Sequence, residues 1–407
     1  MCYNANMKSW IFILGHSPAL SAEEILTVTK AKKSDIVSLG TQALIIRAKV
    51  EPLDLIKQLG GTIKIAELVH TLPRPDAITP EDLLTLLPSS DDEKKVVFGY
   101  SLYNSQPHSV RVWQKIGLQL KRRLQADGKQ ARMVANNDGI LSSVAVTKSK
   151  LLDREFVVVT EKGQTYLGLT RAVQPFAAYS NRDYGRPDRD DERGMLPPKV
   201  AQMMINISGA GNDVPLLDPF CGVGTVAQEA TLLGFTSILG TDRDQRAIAA
   251  AEKNMAWLQQ QYPDAQARFQ TISAEQLSSG LAPNSIGVVV TEPYLGPARE
   301  LQGAVTGLRL QTIQRELSQL YLAVFRQLGT ILKSDGRVVM VWPVYFIGER
   351  TEFLPLLYEV AQLGFSFVKP KVSSTSLAAK LSTRGTLLYH RPGQIVGREI
   401  VVWTRIS

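Results

Sequence analysis

Apolar positions recur along this chain with two spacings, and the changes between them mark its elements. Ile11-Phe12-Ile13-Leu14 is a continuous apolar run stopped by Gly15, which predicts a buried strand. Ser21 with Glu24 three positions on reads as a capping box opening a helix. Ile36 to Leu39 and Ala43 to Ile46 read as strands about a Gly40 turn, and Leu53 to Leu59 as a short helix stopped by Gly60-Gly61. Pro73, Pro75 and Pro80 break the pattern, and Pro88-Ser89-Ser90-Asp91-Asp92 reads as a linker.

A second region opens with a strand, Val96 to Tyr103. From Val110 to Leu124 the period changes to that of a helix, with Val112, Ile116, Leu120 and Leu124 on one face. Ala131 to Val134, Ser142 to Val146, Glu155 to Thr160 and Gln164 to Leu169 follow as strand-like segments, with turns at Gly128, at Asn136 to Gly139 and at Lys162-Gly163. Between Ser180 and Pro198 all periodicity stops. The stretch is charged and contains Gly185 and Pro187, and it predicts an extended linker. Pro198 suits the first turn of a helix, Lys199 to Ile207.

The remainder alternates strands and helices. Val214 to Leu217 is an apolar strand ending at Asp218, followed by a turn with Gly222 and Gly224 and a helix, Val226 to Leu233. Strands at Ser237 to Thr241, Ala267 to Thr271, Ser285 to Thr291 and Gly336 to Trp342 are separated by helices at Arg246 to Gln260 and Leu310 to Leu332. A helix at Phe353 to Leu363 and strands at Phe365 to Val368, Thr386 to His390 and Glu399 to Thr404 close the chain. Repeated strand–helix units imply an open, mainly parallel sheet with an antiparallel edge, and ligands sit at the carboxyl ends of such strands.

Composition narrows the classes. At 407 residues, 44% of them hydrophobic, the chain can bury more than one core. No apolar run approaches the roughly 18 residues that span a bilayer, and Met1 to Trp10 lacks the apolar core of a signal peptide. Cys2 and Cys221 are too few for a disulfide framework or a zinc site, so a soluble protein of a reducing compartment is expected. His16, His70, His108 and His390 stand apart, without metal-ligand spacing or a legible Ser-His-Asp set. The net charge is +8, and seven bases (Arg111, Lys115, Lys121, Arg122, Arg123, Lys129, Arg132) face one acid, Asp127, between Arg111 and Arg132, in and just after the helix from Val110 to Leu124. That excess is either a solvated face or a surface for a polyanion.

Three strand ends carry candidate chemistry. Gly222 and Gly224 let a backbone approach a ligand closely, and the following helix start offers free N–H groups. The third glycine of a dinucleotide fingerprint is absent, since Ala227 stands there, and no P-loop Lys follows. The turn is a cofactor cradle or a tight structural turn. Asp242 ends the next strand, 24 positions after Asp218, close to the spacing of an acid that takes ribose hydroxyls. Asp244 is the better candidate to cap the helix behind it. The fourth strand runs into Thr291-Glu292-Pro293-Tyr294-Leu295-Gly296-Pro297. There a planar base could stack on Tyr294 while Glu292 and the Pro293 carbonyl accept hydrogen bonds from an exocyclic amine. Otherwise the stretch is a proline-rich exit from a strand.

Together these stretches resemble a known family. Asp218-Pro219-Phe220-Cys221-Gly222-Val223-Gly224-Thr225 resembles the cofactor turn of S-adenosylmethionine-dependent amino-methyltransferases, and Thr291-Glu292-Pro293-Tyr294 looks like a variant of their (Asp/Asn)-Pro-Pro-(Tyr/Phe) motif. Arg186-Pro187-Asp188-Arg189 and Gly194-Met195-Leu196-Pro197-Pro198-Lys199-Val200-Ala201 are similar to the THUMP-domain tRNA guanine-N2 methyltransferases of the archaeal and eukaryotic position-ten type. The resemblance implies an α/β fold: a Rossmann-like class I methyltransferase domain over 199–407, with a mainly parallel seven-stranded-type sheet. Before it would come an α+β ferredoxin-like domain (1–90), a THUMP-like RNA-binding domain (91–179) and a linker (180–198). It implies S-adenosyl-L-methionine held by Asp218, Phe220, Gly222, Gly224, Thr225 and Asp242, with Ser273 and Ala274 beside the adenine and Leu196 and Pro197 closing over it. Glu292, Pro293 and Tyr294 would hold the target base, and Lys121, Arg122, Arg123, Lys148 and Lys150 would meet RNA phosphates. The implied activity is cytoplasmic methylation of guanine N2 in tRNA, in some relatives with a small activator subunit. Methylation of an rRNA or DNA amine, or RNA binding without catalysis, are the alternatives. The chain departs from the pattern at two positions: Glu292 replaces Asp or Asn, and the second proline is missing.

Overall fold

The computed structural model describes residues 7–88, 94–190, 195–297, 307–377, 380–391 and 393–406. Two compact units result, residues 1–177 and 178–407. Ser89 to Asp92, with the expected boundary at 90/91, lie outside the described residues, as do Asp191 to Gly194.

The first unit comprises β1 (Lys8–Leu14), α1 (Pro18–Val28), β2 (Ile36–Leu39), β3 (Ala43–Ala48), α2 (Pro52–Gln58), β4 (Thr62–Leu72), α3 (Pro80–Leu86), β5 (Lys95–Tyr103), α4 (Pro107–Ala126), β6 (Gln130–Val134), α5 (Ser143–Lys148), β7 (Glu155–Glu161) and β8 (Gln164–Val173). Its strands form one eight-stranded sheet in the order β2-β3-β1-β4-β8-β7-β5-β6, so strands from before and after residue 90 share a ladder through β4 and β8. Under that junction Lys64 of β4 pairs with Glu155 of β7, both fully buried. Glu155 also accepts from the hydroxyls of Ser101 (2.5 Å) and Thr170 (2.7 Å), so the buried carboxylate is fully engaged.

Several expectations here are corrected. Ser21 does not cap α1; the helix starts at Pro18 with Ser17 at the cap, because proline is preorganised for the first turn. Glu24 is instead buried, and its carboxylate accepts the N–H groups of Gly60 (2.9 Å) and Gly61 (2.8 Å). Ser142 to Val146 is not a strand: Ser142 caps the helix α5, its Oγ accepting from Ala145 N at 3.2 Å. The buried face of α4 is centred on Trp113, Ile116, Gly117, Leu120 and Leu124, with Val112 at its margin. The long strand β4 carries no strict alternation and was not expected.

The second unit comprises α6 (Phe176–Tyr184), α7 (Pro198–Ile207), β9 (Leu216–Asp218), α8 (Thr225–Leu232), β10 (Ile238–Asp242), α9 (Gln245–Gln259), β11 (Arg268–Thr271), α10 (Leu277–Gly280), β12 (Ile286–Thr291), α11 (Gly307–Ile331), β13 (Leu332–Ile347), β14 (Arg350–Phe353), α12 (Leu357–Gln362), β15 (Phe365–Phe367), β16 (Leu387–Tyr389) and β17 (Val396–Arg405). The main path of the sheet runs β11-β10-β9-β12-β13-β17-β15, with β14 paired to β13 and β16 to β17. From β11 to β13 neighbours are parallel, and β17 is antiparallel to both β13 and β15. This is the expected Rossmann-like class I arrangement. The core holds Tyr321, Phe325 and Leu328 of α11 with Trp342 and Trp403 of the sheet.

Two further expectations fail here. Phe353 to Leu363 is not one helix: Phe353 ends β14, and α12 begins only at Leu357. The charged stretch after Ser180 is not simply extended. Its start belongs to α6, whose buried Arg182 donates from Nε (2.6 Å) and Nη2 (3.1 Å) to Glu229 of α8. Arg186, also buried, donates to Thr225 Oγ1 at 2.6 Å. These arginines compensate a buried acid, a role that composition does not distinguish from a solvated linker. Among the described residues no helix is long and apolar enough to cross a membrane.

Candidate active site

Four parallel strands end side by side in the order β11, β10, β9, β12, so residues 271, 242, 218 and 291 share one rim. β9 and β12 are buried up to and including their end residues Asp218 and Thr291, β10 is buried up to the half-buried Asp242, and β11, at the edge, is largely exposed.

Asp218, at the end of β9, is buried. Its Oδ1 accepts from Thr291 Oγ1 at 2.6 Å and from Phe220 N at 3.2 Å. Burial pushes its pKa up to about 7, against the pull of those two hydrogen bonds. Asp218 therefore ties the glycine turn to the end of β12. It does not lie open to solvent.

The turn continues with Gly222 (φ 48°) and Gly224 (φ 86°), both left-handed. A Cβ on Gly222 would meet nothing within 4 Å, so this glycine borders open space. A Cβ on Gly224 would come within 3.1 Å of the Ala251 Cβ, so that one is needed for packing against α9. Thr225 opens α8 and is covered by Arg186, while Phe220 is half-buried. Burial, with Asp218 and Asp242 nearby, pushes the Cys221 thiol far up and disfavours its thiolate.

Asp242, at the end of β10, is half-buried. Its Oδ2 accepts from Gly222 N (3.1 Å) and its Oδ1 from Asp244 N (3.0 Å). One lone pair on each oxygen is thereby used, and the others remain for hydroxyl donors. Asp244 caps α9, its Oδ1 accepting from Arg246 N at 3.0 Å, so the capping task falls on it and not on Asp242. Beyond β11, Ser273 caps a single helical turn and Ala274 is buried. Leu196 is buried and Pro197 half-buried where the chain enters α7.

Beyond β12 the chain passes through Glu292, Pro293 and Tyr294. The Glu292 carboxylate is held by Arg398 of β17: Nε donates to Oε2, and Nη2 to Oε1 at 3.0 Å. Burial works against the charge on Arg398, but Glu292 outweighs it and holds the guanidinium firmly protonated. Pro293 is buried, whereas Tyr294 is 53% exposed at the mouth. Two hydroxyls fix the loop backbone: Tyr321 donates to the Tyr294 carbonyl (2.8 Å) and Tyr345 to the Leu295 carbonyl (3.4 Å). Arg398, Tyr321 and Tyr345 were not anticipated. No local pattern marks them, since Arg398 lies 106 positions from its partner.

The basic candidates belong to the first unit. Arg122 and Arg123 are exposed near the end of α4, and Lys121 is half-buried; Arg123 Nε lies 3.8 Å from Asp127. Lys148 closes α5, and Lys150, at φ 53°, stands exposed in the turn behind it.

Fold and strand-end geometry define a class I methyltransferase architecture. Consistently, residues 186–345 match the family model described as UPF0020, an RMKL-like methyltransferase domain. The chain is 27% identical over 152 residues to a tRNA (guanine(10)-N2)-dimethyltransferase of Methanothermobacter thermautotrophicus, covering 37% of this chain and 40% of that protein. To the protein so named from Methanocaldococcus jannaschii it is 23% identical over 210 residues, covering 50% and 52%. The matched stretch thus spans about half the length of these relatives or less. Among solved structures, TrmN from Thermus thermophilus superposes with a TM-score of 0.54 at 16% identity, over 98% of this chain and 100% of that one, a likeness of fold.

Proposed function

We propose that this chain is an S-adenosylmethionine-dependent RNA methyltransferase that methylates the exocyclic N2 of guanine in tRNA. The observation that carries the reading is the junction of a glycine cofactor turn and a Glu-Pro-Tyr strand exit through Asp218 and Thr291. The names of the two archaeal relatives support the substrate.

The residues present fit such a cofactor. Gly222 leaves open space at the turn, and Asp242 keeps lone pairs for the ribose hydroxyls. Phe220, Gly224 and Thr225 would shape the methionine side, Ser273 and Ala274 the adenine side, and Leu196 and Pro197 the cover. When bound, the cofactor supplies an electrophilic methyl group on sulfur. The protein's own task is positioning, which alone accounts for several kcal/mol in two-reactant transfers. Tyr294 presents an exposed ring for stacking, and Glu292 and the Pro293 carbonyl accept from the amine. The base has to leave its stack to arrive there. In this reading residues 1–179 bind RNA in the manner of ferredoxin-like and THUMP domains, with Lys121, Arg122, Arg123, Lys148 and Lys150 on phosphates. The enzyme would work in the cytoplasm, with or without a small activator subunit.

The test is methyl transfer from labelled S-adenosylmethionine to unmodified tRNA, followed by nucleoside analysis. N2-methylguanosine or N2,N2-dimethylguanosine is the expected product. Label on another base would redirect the reading to a different amine. Cofactor binding without incorporation, with a candidate activator present, would favour a non-catalytic RNA-binding protein.

A further inference from the structure

The carboxylate that would receive the target amine is already gripped by a cation. Arg398 reaches from β17 and engages both oxygens of Glu292 side-on, with Nε on one and Nη2 on the other. Both side chains are largely covered, at 14% and 13% exposure, so the pair is poorly screened by solvent. The same Nη2 lies 3.5 Å from the carbonyl of Met195, immediately before Leu196 and Pro197. Arg398 lies outside the residues matched by the methyltransferase family model, which end at 345.

A glutamate is one methylene longer than an aspartate or asparagine and has an additional rotatable bond. Unsupported, it would sample several rotamers at the mouth of the sheet. A planar guanidinium fork removes that freedom, because two parallel N–H···O contacts fix the plane of the carboxylate. Asp218 and Asp242 add carboxylates to the same rim, and Arg398 is the cation that offsets Glu292 there. With one lone pair on each oxygen committed to Arg398, Glu292 retains the others for N–H donors.

We propose that Arg398 is the positioning residue of the transfer site: it locks Glu292 as a fixed acceptor for the target amine and joins that acceptor to the segment entering α7. The inference rests on the function proposed above. Arg398 acts through Glu292 and does not itself touch the methyl group.

The experiment is a double-mutant cycle on the full chain with tRNA, reading kcat, KM for tRNA and S-adenosylhomocysteine affinity. R398M is expected to lower kcat about 100-fold, the cost of a misplaced reacting group, with both binding measures changed less than about threefold. R398K, which keeps charge but loses the fork, recovers part of that loss. In an E292A background the same R398M change costs less than about threefold more, since no acceptor remains to be positioned. Equal losses in both backgrounds, or an unchanged kcat in R398M, would overturn the inference alone. Should R398M fail to fold, judged by its thermal melt, R398K against R398Q repeats the cycle with smaller changes; a folded R398M that no longer binds S-adenosylhomocysteine would overturn the inference. No transfer by the wild type to any tRNA would overturn this inference and the functional reading together.

Discussion

Thr291 and Asp218, 73 positions apart in sequence, join the ends of two neighbouring strands through one hydroxyl–carboxylate bond of 2.6 Å. The bond links the turn that would hold a cofactor to the residue before Glu292. It also sits beside a carboxyl whose pKa burial has pushed up to about 7. A group whose folded pKa exceeds its unfolded value contributes stability that is complete below the unfolded pKa and lost as pH rises through the folded one. For Asp218 that window runs from about pH 4 to pH 7, and about three pK units correspond to roughly 4 kcal/mol. D218N removes the titration. Urea unfolding of wild type and D218N should therefore show the variant gaining relative stability from pH 5 to pH 8. Parallel pH profiles would show that Asp218 does not titrate in this window.

The two glycines of the turn do different work, and alanine separates them. At Gly222 the added methyl meets open space, with about 1 kcal/mol of left-handed strain. G222A should lower the melting temperature by only about 2–4 °C while weakening S-adenosylhomocysteine binding, because the methyl projects where a ligand would lie. At Gly224 the methyl meets Ala251 at 3.1 Å, so strain and collision add. G224A should cost roughly 2–4 kcal/mol of stability. Calorimetric titration and thermal melts on both variants check this; equal effects on both measures would argue that neither glycine borders a ligand.

What could be read from the sequence followed how local each cause was. Asp218, Asp242 and Thr291 end apolar runs within a few residues of a turn, so their shared rim is legible from strand ends alone. Arg398 gives no such signal, because its role depends on an antiparallel strand folded back beside β13. Ser21 and Glu24 matched a capping box, yet Pro18 starts α1 earlier and the paired N–H groups of Gly60 and Gly61 claim the carboxylate. Ser142 to Val146 carries valines that favour a strand, but a capping serine and tertiary context make it helical. Arg182 and Arg186 fall in a stretch that reads as an extended linker, and only the buried Glu229 and Thr225 opposite them explain their position.

The buried pair Lys64–Glu155 tests the first unit. Burial holds the Lys64 pKa down, and Glu155 opposes that shift. K64M would leave Glu155 buried with only hydroxyl partners, and removal of one member of such a pair costs roughly 3–5 kcal/mol. The double variant K64M/E155L removes the stranded charge and should recover most of the loss, measured by urea unfolding. A K64M variant within about 0.5 kcal/mol of wild type would mean that water or relaxation already compensates the acid.

The α4 cluster makes a salt-dependent prediction. If Lys121, Arg122 and Arg123 meet phosphates, replacing all three by alanine weakens tRNA binding and lowers the slope of log K against log salt by about 2 to 3. The exposure of Arg122 and Arg123 makes their replacement nearly neutral for folding. A filter-binding series from low to physiological salt measures the slope. An unchanged slope would return this helix face to ordinary solvation.

Asp242 supports the turn and remains able to accept from a ligand, and two substitutions separate those tasks. D242A removes both carboxylate oxygens that accept from the backbone N–H groups of Gly222 and Asp244, together with the lone pairs left for ribose hydroxyls. Hydrogen bonds to a charged acceptor are worth about 1.5–3 kcal/mol each, so S-adenosylhomocysteine affinity should fall at least tenfold, with tRNA binding nearly intact. D242N keeps one carbonyl oxygen, which can still serve one of the two backbone donors, and turns the other position into a donor. The asparagine variant should therefore melt closer to wild type than D242A does, yet bind the cofactor product almost as poorly. If D242N restored affinity as well as stability, the carboxylate would matter only as a brace for the turn. An unchanged dissociation constant in both variants would remove Asp242 from the site altogether.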